Sequence, residues 1–304
     1  MCMKEDIRDY ARIGLVHHLL YPKCTEDPDD HVRTLEEFVR RDDIETLDCC
    51  IPFGEDRRRR AIAAVKSSGK EVVYAMHLFP SRKISFGSTS PAEQGAIHLV
   101  VGDQVDMAAA VGATGYVFAS GADVPEGERP AAREAFADFC RWFCAKLKPH
   151  GITALLEPFD RTIDKKFLYG PTTECAQLVR SLEPEVDNLG IELDVAHLPL
   201  MGESFEGAIK TTAPYLRRVH LGNCVLKDKS HPLYGDQHPP MGIEGGEIDV
   251  PELAEILSLL LGAGYLNKDA RGALVLEMQP FPGSTPDETV ADSFARLGKA
   301  WEMV

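Results

Sequence analysis

The chain has 304 residues, with 33 Lys plus Arg against 48 Asp plus Glu, for a formal net charge of −15. That acidity argues against a generic phosphate-backbone binder, which needs a basic footprint, and 44% hydrophobic with 27% charged residues excludes a disordered chain. No apolar run reaches the ~18 residues that span a bilayer; the closest, Leu253–Leu266, is interrupted by Glu255 and glycines.

The N-terminus, Met1-Cys2-Met3-Lys4-Glu5-Asp6, is charged and has no apolar signal core. The cysteines at 2, 24, 49, 50, 140, 144, 175 and 224 are scattered and read as buried free thiols, not as a disulfide framework. The expected setting is a reducing cytoplasm, away from membranes.

Short β-rich apolar runs alternate with longer helical ones. In chain order the spacing predicts strand Arg12–His17, helix His31–Arg41, strand Glu45–Ile51, helix Arg57–Ser68, strand Glu71–His77 and a split helical region around Ala92–Val111. Strand Gly115–Ser120, helix Arg129–Lys148, strand Ile152–Glu157, helix Thr172–Leu182, strand Gly190–Asp194 and helix Gly207–Ala213 follow. The chain closes with strand Arg217–Leu221, helix Pro251–Ala263, strand Ala273–Glu277 and helix Thr285–Met303. The run Arg57–Arg60 reads as a solvated helix face.

Strands alternating with helices of this length imply βαβ units and a parallel sheet. Runs such as Val72-Val73-Tyr74-Ala75-Met76 suit a sheet covered on both faces. Eight such units, at about 38 residues each, predict an α/β fold of the (β/α)8 TIM-barrel type, with residues 1–304 as one domain. An open doubly wound sheet is the weaker alternative, because no Gly-x-Gly-x-x-Gly turn follows the first strand. The stretch 222–249, after the seventh strand, has no clear element and is expected to be a functional loop at the C-terminal face.

Polar residues stand where the apolar strands end. Glu157 closes the fifth, Asp194 the sixth with His197 three residues on, His220 the seventh and Glu277 the eighth. A buried carboxylate is costly unless paired or bound to a cation. Three carboxylates and an imidazole on consecutive strands would converge at the barrel mouth and suit one divalent metal. The donor set suits Mn²⁺, Co²⁺, Mg²⁺ or Zn²⁺ and does not choose among them; Mn²⁺ is the metal expected. Asp236 and His238 lie on one face of an extended segment; with His77 and His197 they form a second set, for substrate or another metal. Arg161, at the rim four residues after Glu157, is expected either to clamp a substrate oxyanion or to form a structural pair with Asp160.

The order Glu157, Asp194-x-x-His197, His220, Glu277, with Asp236-x-His238, resembles the xylose-isomerase-like TIM barrels. These include sugar isomerases, ketose 3-epimerases, inositol-pathway enzymes, 3-dehydroshikimate dehydratases and AP-site endonucleases. Resemblance to the epimerases implies one metal on Glu157, Asp194, His220 and Glu277, proton transfer by Glu157 and Glu277, and His197 as a catalytic contact to a substrate oxygen. The chain departs from the epimerases at Ile163, where a glutamate is usual, and at Leu226-Lys227, where an arginine is. Resemblance to the endonucleases covers all but one ligand of their zinc cluster, with Ala119 in place of the remaining histidine. The charge makes nucleic acid an unexpected partner.

The stretches His220-Leu221-Gly222-Asn223-Cys224 and Tyr234-Gly235-Asp236-Gln237-His238-Pro239 resemble the catalytic subunits of C-glycoside deglycosidases. These are metal-dependent lyases that act on 3-keto-glycosides and pair with a small β-rich subunit. The expected function is therefore a metal-dependent sugar isomerase or epimerase, with a 3-keto-glycoside lyase as the alternative. An endonuclease and a non-catalytic barrel rank below these. The implied partners are a sugar, keto-sugar or glycoside substrate and further copies of the chain, or a β-rich subunit for the lyase.

Overall fold

Alternate residues of a strand face opposite ways, and this chain uses the two faces differently. The computed structural model describes residues 5–75 and 85–304. Its strands are β1 (Ala11–Val16), β2 (Thr46–Cys49), β3 (Glu71–Ala75), β4 (Gly115–Phe118), β5 (Thr153–Leu156), β6 (Leu189–Asp194), β7 (Leu216–Leu221) and β8 (Gly272–Leu276). They close in sequence order into a parallel barrel, β8 pairing with β1.

The outward residues, among them Leu15, Leu47, Tyr74, Phe118, Leu193 and Leu276, join one large core with the surrounding helices. Inward residues form small separate apolar groups, Val73 with Val117 and Leu155, and Val16 with Ala273 and Val275. By the same alternation Asp48, Glu192, Asp194, Arg218 and His220 occupy the inner face of β2, β6 and β7. Arg218 of β7 binds Asp48 of β2; these strands are not neighbours, so the pair crosses the barrel.

The helices are α1 (His17–Leu20), α2 (Pro28–Phe38), α3 (Glu55–Ser67), α4 (Pro91–Val111), α5 (Arg129–Leu147), α6 (Thr172–Leu182), α7 (His197–Met201), α8 (Phe205–Thr212), α9 (Val250–Gly262) and α10 (Pro286–Glu302). Local signals set several ends. Asp27 caps α2 by accepting from the N–H groups of Asp29 and Asp30, and Thr285 and Glu288 form a capping box on α10. Among the described residues no helix is long and apolar enough to cross a membrane.

The expected split near Ala92 is wrong: α4 runs unbroken. Its glycines, Gly95 and Gly102, have open space where a side chain would be. They cost only helix propensity, about 1 kcal/mol each, while Val101, Val105, Ala108 and Val111 bury the opposite stripe. The short helices α1 and α7 went unread. His17 opens α1 instead of ending β1, and Glu157 and Glu277 stand one residue beyond β5 and β8. The arginines of α3 pair with Asp29, Asp103, Asp56 and Glu36. The seven described cysteines are all buried and free.

The segment 222–249 joins β7 to α9 without a named helix or strand. Buried Asn223 staples it: Oδ1 accepts from the N–H groups of Cys224, Glu247 and Ile248, and Nδ2 donates to the Pro240 carbonyl. Gly222 makes the close approach at its start, since a Cβ there would lie 2.8 Å from Asp194 Oδ1.

Candidate metal centre

The strand ends and the 222–249 segment enclose a cavity of about 220 Å³, lined by Glu157, His220, Glu277, Lys165, Asp236 and His238 among others. Two groups of side chains could hold a cation: Glu157, His220 and Glu277, and Asp194, His197 and His238. Within each group the ligand atoms lie no more than 4.8 Å apart. His238 Nε2 links them, 2.8 Å from Asp194 Oδ2 and 3.8 Å from Glu277 Oε1. Its φ is +48°, in the left-handed region where few non-glycine residues sit. Its carbonyl accepts from Gln279 N–H at 2.8 Å.

His220 bridges acids. Nδ1 lies 2.5 Å from Glu277 Oε2 and 3.4 Å from Glu192 Oε1, while Nε2 donates to Asp48 Oδ2 at 3.1 Å. Asp48 is itself held by Arg218, whose Nε lies 3.1 Å from both its oxygens and whose Nη2 donates to Thr46 Oγ1 at 3.0 Å. Asp48 thus fixes the proton on Nε2 and leaves Nδ1 facing the other acids, the arrangement that orients an imidazole ligand.

His197 is set in the same way. Nδ1 donates to the Pro158 carbonyl at 2.9 Å, and Nε2 faces Asp194 Oδ2 at 3.3 Å and Asp236 Oδ1 at 3.4 Å. Neither His197 nor Asp194 is among the residues lining the cavity, and both are buried.

Electrostatics separate the acids. Burial, reinforced by Glu192, pushes Glu157 well above the usual carboxylate range. Burial pushes Glu277 the same way, but His220 and His238 outweigh it and hold the carboxyl low. Burial opposes charge on His197 and His220, yet the surrounding carboxylates keep both well above the ordinary imidazole value. Burial takes His18, also at the cavity, down to about 4.

Both Glu192 oxygens, His197 Nε2 and Asp236 Oδ1 make no hydrogen bond among the described residues. Glu157, Asp194, Glu192 and Glu277 have only histidines as ion-pair partners there. Buried carboxylates in excess of their partners and the mixed oxygen and nitrogen set of Glu157, His220 and Glu277 fit a divalent cation.

The structure therefore brings together Glu157, Asp194, His197, His220, Asp236, His238 and Glu277. His77 lies outside the described residues. Arg161 stands apart: its guanidinium pairs with Glu174 and donates to the Leu168 carbonyl at 2.8 Å. Asp160 does not pair with it, but accepts from the N–H groups of residues 162 to 165. Ala119 packs with Phe159 and Phe167, so that position is apolar. Sequence reasoning missed Asp48, Glu192, Arg218, Lys165 and His18. Glu192 and Arg218 each precede a recognised residue by two, which in a strand is the same face.

A family model described as xylose isomerase-like TIM barrel matches residues 37–300. The chain belongs to the xylose isomerase-like TIM barrel family. No curated protein matches it in sequence. In structure this family member is similar to a D-tagatose 3-epimerase-like protein, at 13% identity over 95% of this chain and 98% of that one, with a TM-score of 0.68. A 3-keto-D-glucoside 4-epimerase from E. coli gives 16%, 95%, 99% and 0.66 for the same quantities. A family 2 AP endonuclease from Brucella melitensis gives 20%, 94%, 99% and 0.64. At these identities the likeness is one of fold, which does not fix function.

Proposed function

We propose that the protein is a divalent-metal-dependent isomerase or epimerase of sugars that works by removing a proton beside a carbonyl. The observation that carries this reading is the placement of Glu157 and Glu277 with His220 on one cavity, their ligand atoms within 4.8 Å. Glu157, Asp194, His220 and Glu277 hold the cation, with Mn²⁺ first and Co²⁺, Mg²⁺ or Zn²⁺ as alternatives. When bound, such an ion supplies Lewis-acid polarisation of a carbonyl. Glu277 and Glu157 exchange the proton with the substrate carbon, one as base and one as acid. His197, whose Nε2 faces Asp194 and Asp236, is the contact to a substrate oxygen, and Asp48 fixes the orientation of His220.

Elimination from a 3-keto-glycoside is a second reading. It is favoured by Asp236 and His238, which the 222–249 segment brings to the cavity and which exchange between two carboxylates does not require. It carries with it a small β-rich partner subunit. In the first reading the partners are a sugar and other copies of the chain.

The test is a panel of free ketoses and 3-keto O- and C-glycosides, with Mn²⁺ in D₂O. Isomerisation or epimerisation of a ketose supports the first reading, and release of free aglycone the second. A Glu277→Gln enzyme should turn over about 10²–10⁴-fold more slowly. Retention of activity within about threefold would remove Glu277 from proton transfer.

A further inference from the structure

Asp236 turns its two oxygens to different partners. Oδ1 lies 3.1 Å from His238 Nδ1 and 3.4 Å from His197 Nε2. Oδ2 accepts from Lys165 Nζ at 2.6 Å, and the same ammonium donates to the Asp236 carbonyl at 3.0 Å. The Asp236 carboxylate is fully buried and Lys165 is 21% exposed, at the cavity wall. Asp236 thus already has a cation, supplied by the chain.

The placement of Lys165 is built in. Asp160 gathers the β5–α6 loop by accepting from the N–H groups of Asp164 and Lys165, each at 2.8 Å. Asp164 Oδ2 then accepts from Asp236 N–H at 2.9 Å and from Gln237 Nε2 at 3.2 Å. Two loops are stitched together so that the lysine meets the aspartate. Burial works against the ammonium, but Asp236 outweighs it and raises its pKa. A divalent ion at Asp194, His197 and His238 would share the Asp236 carboxylate with this ammonium, and like charges that close inside a protein repel strongly.

We propose that Lys165 takes the charge position of a second metal ion, so that the mouth of the barrel holds one divalent cation and the Asp236–His197–His238 group stays metal-free. This rests on the metal reading under Proposed function and deepens it. The ammonium neutralises Asp236, and His238, held by Asp236, keeps its Nε2 2.8 Å from Asp194 Oδ2. Removing the ammonium would leave the Asp236 carboxylate with only His197 and His238 beside it, and two imidazoles with the carboxylates of Asp194 and Asp236 are a set fit for a metal.

The test is metal stoichiometry, which needs no substrate. Chelator-stripped protein is loaded with Mn²⁺ or Zn²⁺, desalted and analysed for metal per chain, with circular dichroism as the fold control. Wild type should hold one ion, Lys165→Met two, and Lys165→Arg one. Two ions in the wild type, or one in a folded Lys165→Met variant, would overturn the proposal while leaving the metal reading intact. No ion in the wild type would overturn both. If Lys165→Met does not fold, Lys165→Gln is read by the same criteria, and the wild-type value still decides between one ion and two.

Discussion

The buried acids of this barrel fall into two sets, separated by where their cation comes from. Asp48 and Asp236 have one from the chain: Arg218 across the barrel and Lys165 from the β5–α6 loop. Glu157, Asp194, Glu192 and Glu277 have only histidines within ion-pairing reach among the described residues. Buried charge persists when it is paired. The first set is paired with a guanidinium or an ammonium as folded, whereas the second faces only imidazoles and is the set proposed to take a cation from outside. Acids at a barrel mouth are therefore not equivalent evidence for a metal.

Breaking the first set should have the largest effect on stability. Arg218→Met leaves Asp48 buried without its guanidinium and should cost about 3–5 kcal/mol of unfolding free energy, read by chemical denaturation. A loss below about 1 kcal/mol would place Asp48 in the same category as the acids of the metal centre. Asp48→Asn in the same protein should return part of the loss, because the uncompensated charge is then gone.

The second set should show itself through pH. Burial first, and then neighbouring carboxylates, raise the Glu192 pKa from the usual 4.5 to about 8. Between those values the folded, metal-free protein keeps a proton that the unfolded chain has released. Its stability should therefore fall as pH rises through the window and level off above it. Glu192→Gln should lessen that fall in the melting temperature of stripped protein, the raised Glu157 supplying part of what is left. An unchanged slope from pH 5 to 8 would assign the effect to another group.

The smallest effect is expected at Arg161. Its guanidinium is occupied by Glu174 and the Leu168 carbonyl, so Arg161→Lys should leave KM for whichever sugar is turned over within about twofold. A tenfold rise would return Arg161 to the substrate.

The barrel was legible because its strands and helices differ in period, and because eight units account for the length. The mouth was legible because Glu157, Asp194, His220 and Glu277 interrupt apolar runs. What escaped was of two kinds. Asp48, Glu192 and Arg218 sit inside strands; Glu192 and Arg218 lie two residues before Asp194 and His220 on the same face, whereas no recognised strand-end residue marks Asp48. Lys165 and His18 reach the cavity from a loop and from a four-residue helix. Loop positions depend on contacts such as Asp160 with its run of N–H groups, and no periodicity encodes those. The α4 break was misread for a related reason: glycine lowers helix propensity locally, but the buried valine stripe decides the outcome.

The most direct test of an externally supplied cation is calorimetric titration of stripped protein with Mn²⁺ near neutral pH, comparing wild type with His220→Asn. Wild type should bind saturably, and His220→Asn should bind more than about 100-fold more weakly. Absence of saturable binding in the wild type, or equal affinity in the variant, would contradict a metal centre built on Glu157, Asp194, His220 and Glu277.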